Sequence, residues 1–280
     1  MKELDWANLP FGYMKTDYNV RIYYRNEQWG ELEVCSEETI PMHMAATCLH
    51  YGQEAFEGLK AFRGKDGKVR IFRLEENAAR LQSTCRGILM PELSTERFKE
   101  AILKVVKLNE RFIPPYESGA SLYIRPLLVG TGAQVGVHPA SEYLFVVFVT
   151  PVGPYFKGGF STNPYVIIRE FDRAAPLGTG IYKVGGNYAA SLRANKKAHD
   201  LGYSCEFYLD AKEVTAGLDW TNGVTWDSQP TYKNTVLDSQ KISEETTGKY
   251  VGWDLTSVIK KKYEEGNDEN GENSDEHENL

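Results

Sequence analysis

The segment Tyr143–Val149 places the strongest constraint on the fold, because it is an uninterrupted apolar run, Tyr-Leu-Phe-Val-Val-Phe-Val. A short run of this kind, rich in β-branched residues, predicts a strand that is buried on both faces. The segment Ser121–Val129 predicts a second strand, with Tyr123 and Arg125 on the same face because they are two residues apart. With the elements around them, these strands predict a compact α+β domain over residues 1–150.

Two hairpins are predicted before these strands. Val20–Tyr24 and Glu31–Val34 alternate apolar and polar side chains, and Trp29-Gly30 is the expected turn between them. Residues 60–73 contain two short strands around Gly-Lys-Asp-Gly-Lys, a sequence that favours a tight turn.

Two amphipathic helices are predicted between the hairpins and the long strands. Leu74–Ile88 carries apolar residues at intervals of three and four, which is the helical period. Ser94 or Thr95 can cap a second helix that runs through Asn109, with its apolar side chains turned inward.

The clearest candidate for chemistry is Lys183, which lies among four glycines in the segment Gly178–Gly186. Glycine lets another group approach the backbone closely, and a desolvated lysine loses its proton more readily. A neutral amine in such a turn can form a Schiff base with an aldehyde. Tyr188 follows near the start of a predicted helix, Tyr188–Asp200. A glycine-rich turn with an exposed lysine is the alternative, and spacing alone favours it.

Charge and cysteine content exclude several classes of protein. The formal net charge is −7, but residues 264–280 contain eight acidic side chains and no lysine or arginine, so the rest is close to neutral. Nucleic-acid binding is therefore not expected. No signal peptide or membrane-spanning run is recognisable, and a cytoplasmic location is expected. Neither metal-binding nor CxxC spacing is present in the four cysteines, which read as reduced thiols: Cys35, Cys48, Cys85 and Cys205.

The segment Lys183-Val-Gly-Gly-Asn-Tyr-Ala-Ala-Ser-Leu closely resembles the Schiff-base segment of branched-chain amino acid aminotransferases. Leu49–Phe62 and the strand from Ser121 resemble further parts of the same family. These are enzymes of fold type IV that use pyridoxal 5′-phosphate. The resemblance implies an α+β fold with a small domain (1–150), a connector (151–160) and part of a cofactor-binding large domain (161–213).

The resemblance also implies a function and a set of site residues. The function is transamination of leucine, isoleucine and valine with 2-oxoglutarate, in a homodimer. Lys183 would hold the cofactor and carry the proton, Arg80 would bind its phosphate, and Tyr188 its ring oxygen. The substrate site would contain Tyr51, Phe56, Tyr123 and Arg125, with Val135 and Val137 reaching the neighbouring subunit's pocket. Without the resemblance, Tyr51 and Phe56 read as core aromatics and Arg80 as a solvated helix residue.

The resemblance stops near Glu213. In the family, a glutamate that bonds the pyridine nitrogen follows the strand ending near Lys212, and later turns complete the phosphate cup; Val214-Thr-Ala-Gly does not fit. Residues 214–263 are expected to be a foreign β-rich segment, of which roughly 220–260 resembles part of a DNRLRE-type β-sandwich module. Residues 264–280 are expected to be a disordered acidic tail. Two functions stay open: an aminotransferase impaired by this loss, or a catalytically dead fragment fused to a binding or surface module.

Overall fold

The computed structural model describes residues 4–154 and 164–208, together with two short strands further on. The interdomain connector falls mostly outside the described residues, as do most of the predicted foreign segment and the whole acidic tail. The chain forms two compact units. The first comprises Met1–Asn163 and Arg173–Arg193, and the second Pro164–Asp172 and Ala194–Leu280. The domain boundaries expected from the sequence stay predictions.

A mixed-length antiparallel sheet of eight strands forms the centre of the first unit, as far as the structure describes it. Its order is β2-β1-β8-β7-β5-β6, with β3 paired to β1 and β4 paired to β7. The strands are β1 (Asn19–Arg25), β2 (Gln28–Trp29), β3 (Glu33–Cys35), β4 (Glu54–Phe56), β5 (Leu59–Arg63), β6 (Val69–Ile71), β7 (Ser121–Gly130) and β8 (Tyr143–Val152).

The two long strands form the middle of this sheet, as the apolar runs predicted. They pair over their full length, from Ser121 opposite Val152 to Gly130 opposite Tyr143. Nearly all of β8 is buried, which confirms the prediction of a strand covered on both faces. One face carries the main core, and a smaller apolar cluster around Val129, Leu144 and Val146 covers the other.

Two helices cover the main core face. They are α2 (Leu74–Gly87) and α3 (Thr95–Leu108), while a short α1 (Thr47–Tyr51) precedes β4. The Ser94 hydroxyl accepts a hydrogen bond from the Arg97 backbone N–H, which is the predicted N-cap. The apolar stripes of both helices are buried, and Phe98 packs against Phe145 with ring centroids 5.9 Å apart. The predicted helices are thereby confirmed.

The first hairpin forms, but its predicted turn is wrong. The chain reverses at Asn26 and Glu27, which have φ of 50° and 59°, and Trp29 then pairs with Tyr24. Two-residue turns with positive φ match the twist of paired strands, and asparagine tolerates them. Gly30 instead continues beside β1, where its N–H donates to the Tyr23 carbonyl at 2.8 Å. The second hairpin, between β5 and β6, is confirmed.

The second unit contains the parallel pair β9 (Tyr165–Ile168) and β10 (Cys205–Tyr208) and the antiparallel pair β11 (Thr215–Gly217) and β12 (Ser239–Lys241). The helix α4 (Gly185–Asp200) begins in the first unit and ends in the second. Its first residue lies three positions before the predicted start. Among the described residues, no helix is long and apolar enough to cross a membrane.

Candidate active site

The backbone of Lys183 is attached to two elements of the first unit. The Phe56 N–H at the end of β4 donates to the Lys183 carbonyl at 3.2 Å. The Lys183 N–H donates to the Thr84 hydroxyl on α2, also at 3.2 Å. The side-chain amine Nζ donates to the Tyr188 hydroxyl at 2.8 Å. Lys183 is only partly buried, so much of its desolvation would have to come from a bound ligand.

The Phe56 ring brings the predicted residues together. Lys183 Nζ lies 4.4 Å from its centroid and Arg125 Cζ lies 4.8 Å from it. The ring of Tyr188 is 5.0 Å away, centroid to centroid. Cations within about 6 Å of an aromatic centroid are attracted to the ring. One apolar ring therefore holds an amine, a guanidinium and a phenol at close quarters.

Tyr123 and Arg125 extend this group along β7, on the shared face that their spacing predicted. Arg125 Nη2 donates to the Tyr123 hydroxyl at 2.9 Å and Nε at 3.3 Å. Gly58 makes room for that hydroxyl, because a Cβ at position 58 would lie 2.5 Å from it. We call the resulting group the Lys183 cluster: Phe56, Tyr123, Arg125, Lys183 and Tyr188.

Arg80 lies on α2 and forms a bidentate ion pair with Glu57. Arg80 Nε donates to Glu57 Oε1 at 2.7 Å and Nη2 donates to Oε2 at 2.6 Å. The Glu57 hydrogen bonds raise the pKa of Arg80, burial opposes them, and the nearby Tyr188 acts in the same direction as Glu57. Arg80 is therefore within electrostatic reach of the Lys183 cluster. Glu57 is fully buried and was not predicted. The only hint in the sequence is that an acidic residue stands between Phe56 and Gly58.

A second carboxylate that the sequence analysis missed is Glu54, at the start of β4. Its Oε1 accepts a hydrogen bond from the Gly185 N–H, at the first residue of α4. Burial raises the pKa of Glu54, and the Gly185 hydrogen bond and the charge of Arg125 oppose that shift. The helix that follows Lys183 thus begins against a side chain of β4, and a Cβ at position 185 would lie 2.0 Å from Glu54 Oε1.

Asn187 holds the glycine-rich loop that precedes Lys183. Its Nδ2 donates to the carbonyls of Thr179 and Tyr182 at 2.7 and 2.8 Å, and its Oδ1 accepts from the Thr179 hydroxyl at 3.1 Å. Asn187 is 4% exposed, so these bonds form away from water. The loop conformation on the N-terminal side of Lys183 is consequently set by one buried amide.

The remaining predicted substrate residues lie in a separate, exposed group. The Tyr51 hydroxyl donates to the Val135 carbonyl, and Tyr51 itself is 41% exposed. The side chains of Val135 and Val137 are each 84% exposed. Their predicted contact with a neighbouring subunit stays a prediction.

The Lys183 cluster has the chemistry of a site for an anionic carbonyl compound. It presents one nucleophilic amine, one phenol that can hold that amine in place, and two guanidinium groups nearby. Within the described part of the chain, no group of three or more histidine, cysteine, aspartate or glutamate side chains is arranged to bind a metal ion.

A comparison with protein families identifies the group to which this arrangement belongs. The model of the amino-transferase class IV family matches residues 54–219, which is more than half of the chain. The chain belongs to the class IV aminotransferases. The matched region of this class IV aminotransferase includes the whole Lys183 cluster, Arg80 and both missed glutamates.

Individual relatives agree with the family. A branched-chain-amino-acid aminotransferase from Helicobacter pylori is 51% identical over 211 residues, covering 75% of this chain and 62% of the relative. The crystal structure of the Escherichia coli branched-chain amino acid aminotransferase has a TM-score of 0.58 at 26% identity, covering 71% of this chain and 61% of that one. The T.th. branched-chain amino acid aminotransferase complexed with N-(5′-phosphopyridoxyl)-L-glutamate has a TM-score of 0.51 at 26% identity, over 68% of this chain and 59% of that one.

The predicted α+β fold is thus confirmed for the described residues. The chain spans less than two thirds of the length of each of these relatives. Whether the large domain is truncated and followed by a foreign segment lies outside the described residues.

Proposed function

We propose that this class IV aminotransferase uses pyridoxal 5′-phosphate to transfer amino groups from leucine, isoleucine and valine to 2-oxoglutarate. The observation that carries the proposal is the hydrogen bond from Lys183 Nζ to the Tyr188 hydroxyl beside the Phe56 ring. The Helicobacter pylori relative is a branched-chain-amino-acid aminotransferase. The ligand of the T.th. structure joins a phosphopyridoxyl group to glutamate, which supports both the cofactor and the acceptor.

The donor set fits the cofactor. The aldehyde of the cofactor requires an amine, which Lys183 provides. Its acidic ring oxygen requires a hydrogen-bond donor, which the Tyr188 hydroxyl provides. Its phosphate requires a fixed cation, which Arg80 provides. When bound, the cofactor supplies an electron sink for the negative charge that forms on the substrate carbon.

Lys183 performs the proton transfer in this proposal. With the cofactor bound, Lys183 Nζ would accept the proton from the substrate Cα as a general base and would give it back as a general acid. The Tyr188 hydroxyl limits the directions in which Nζ can point, since the two atoms are 2.8 Å apart. This restraint keeps the amine close to one reacting position rather than free to rotate.

The substrate's charge and side chain would be recognised by different members of the Lys183 cluster. The Arg125 guanidinium, held by Tyr123 and Phe56, would attract a carboxylate of the amino acid or of 2-oxoglutarate. The Phe56 ring would contact a branched apolar side chain. Because Val135 and Val137 are exposed in one loop, a second copy of the chain would cover them, in line with a homodimer.

The test has two stages. Addition of pyridoxal 5′-phosphate should produce visible absorbance, and borohydride reduction followed by peptide mapping should place the label on Lys183. Glutamate formation from leucine and 2-oxoglutarate is then measured at saturating cofactor, with Lys183→Ala as the blank. Label on another lysine, with Lys183 unmodified, would contradict the site.

We expect the rate to fall well below that of the Helicobacter pylori relative. The sequence after Glu213 lacks the family's pyridine carboxylate and phosphate-cup turns, and each lost charge-assisted hydrogen bond costs about 1.5–3 kcal/mol. Two such losses would weaken cofactor binding by roughly a hundredfold or more. At saturating cofactor the missing carboxylate would still lower the rate, because a pyridine nitrogen without an anionic partner is protonated less and makes a weaker electron sink. A rate comparable to that of the relative would refute this expectation.

A further inference from the structure

Glu57 is a fully buried carboxylate between β4 and β5, with a side-chain exposure of 0%. A carboxylate removed from water is strongly destabilising unless it is paired and hydrogen-bonded. Oε1 accepts from Arg80 Nε at 2.7 Å. Oε2 accepts from Arg80 Nη2, Asn77 Nδ2 and the Gly58 N–H at 2.6, 2.8 and 3.3 Å. These four hydrogen bonds give the carboxylate a single orientation.

Glu57 is also fixed through its backbone, whereas Arg80 depends on a long side chain. The Glu57 N–H donates to the Pro126 carbonyl of β7 at 2.8 Å, so the residue is anchored in the sheet. Arg80 reaches across from α2, and its side chain is 30% exposed. Because the glutamate has the better-defined position, it determines where the guanidinium lies.

The contact also fixes the direction in which the guanidinium faces. A guanidinium carries five N–H donors in a rigid planar fork. Glu57 engages Nε and Nη2 together, so the carboxylate sets the plane and the direction of the guanidinium. Thr84, one helical turn after Arg80 on α2, accepts a hydrogen bond from the Lys183 N–H, so this face of the helix lies beside the Lys183 cluster.

We infer that Glu57 is a positioning residue, which orients the Arg80 guanidinium for recognition of the phosphate of the cofactor. The inference rests on the proposed function, because it takes pyridoxal 5′-phosphate as the ligand. Charge alone would act in the opposite direction, since Glu57 neutralises Arg80 and repels a phosphate. Orientation dominates because a displaced guanidinium loses directional charge-assisted hydrogen bonds, whereas the repulsion acts across the intervening guanidinium.

The experiment compares two ligands that differ only in the phosphate. The full chain is titrated with pyridoxal 5′-phosphate and with pyridoxal, and each Kd is read from visible absorbance. Glu57→Gln should raise the Kd for the phosphorylated ligand by about 10- to 100-fold, the value of one charge-assisted hydrogen bond. The Kd for pyridoxal should stay within about twofold, because pyridoxal lacks the phosphate that Arg80 would hold.

Glu57→Asp separates orientation from charge. It keeps the carboxylate but withdraws it by one methylene, so we expect a selective loss of about 3- to 10-fold for the phosphorylated ligand. This variant also carries the test if Glu57→Gln fails to fold. Thermal unfolding of each variant confirms that the protein is folded at the assay temperature.

Asp17→Asn is the matched control. Asp17 forms the same bidentate contact with Arg111, through Nε at 2.6 Å and through Nη2, on the same unit. Neither residue belongs to the Lys183 cluster, so neither Kd should change.

Any one of four results would overturn the inference. Tighter binding of pyridoxal 5′-phosphate by Glu57→Gln would show that charge dominates. Equal losses for both ligands, or an unchanged preference in both Glu57 variants, would show that Glu57 serves only the fold, and the proposed function would stand. A wild-type chain without preference for the phosphorylated ligand would overturn the inference and the proposed cofactor together.

Discussion

Removal of the Asn187 side chain should loosen the loop that precedes Lys183. Asn187→Ala removes two N–H donors from the carbonyls of Thr179 and Tyr182 and an acceptor from the Thr179 hydroxyl. Each hydrogen bond contributes about 1 kcal/mol net, so the loss of both carbonyl bonds lowers the free energy of local opening by about 2 kcal/mol. That corresponds to roughly 30-fold more frequent opening, because 1.36 kcal/mol is tenfold.

Hydrogen exchange measures this opening directly. The amides of Tyr182, Val184 and Asn187 donate to carbonyls within the same loop, so they report on it. Their exchange should accelerate about 30-fold in Asn187→Ala, while amides of β7 and β8 keep their rates. Asn187→Asp should accelerate exchange at least as much, because a carboxylate would face two carbonyl oxygens.

Asn195→Ala is the control for this prediction. Asn195 lies on the same helix, but its amide donates one hydrogen bond, to Glu206 at 3.0 Å. Exchange in the Lys183 loop should not change in this variant. An acceleration of less than about threefold in Asn187→Ala, or an equal one in the control, would refute the role of Asn187 as the buried support of the loop.

Four other changes test separate features of the chain. Burial raises the pKa of Glu54, so its contribution to stability is present in acid and is lost as the pH rises through the raised pKa. The melting temperature of the wild type should therefore fall relative to that of Glu54→Gln between acid and neutral pH. Parallel melting curves for the two proteins would contradict this prediction. Gly58→Ala places a carbon 2.5 Å from the Tyr123 hydroxyl and should cost about 1–3 kcal/mol in the free energy of unfolding by denaturant titration. Gly186→Ala, where a Cβ meets nothing within 4 Å, should be neutral or stabilising. Val137→Asp should lower the sedimentation coefficient of the proposed homodimer, and a monomeric wild type would disprove the assembly.

The parts of the fold that depend on local pattern could be predicted. The buried strand at Tyr143 and the helix capped by Ser94 follow from apolar runs, helical spacing and a single capping side chain. The turn at Asn26 and Glu27 could not, because Trp29-Gly30 carries the stronger local turn signal while the positive φ angles are imposed by strand pairing. Tertiary contact decided between two locally plausible turns.

The same division applies to the candidate site. Lys183, Tyr188 and Arg80 were predicted because the Lys183 segment resembles a family motif and the same resemblance assigns the phosphate to Arg80. Glu54 and Glu57 were missed because acidic residues in a short strand segment look solvent-exposed. Their roles follow from Gly185 and Arg80, partners that are distant in the chain and close in space.

The attachment of Lys183 to β4 has a consequence for the order in which the protein forms during synthesis. Phe56 leaves the ribosome long before Lys183, and the two are joined by a backbone hydrogen bond. At about 5–20 residues per second, their separation of roughly 130 residues corresponds to a delay of about 6–25 seconds. During that interval the sheet and helices of the first unit can fold. Phe56 and the Glu57–Arg80 pair are then already present, but Lys183 has not yet been synthesised. During synthesis the Phe56 ring therefore lacks its contacts with Lys183 and Tyr188 until the last part of the first unit is made.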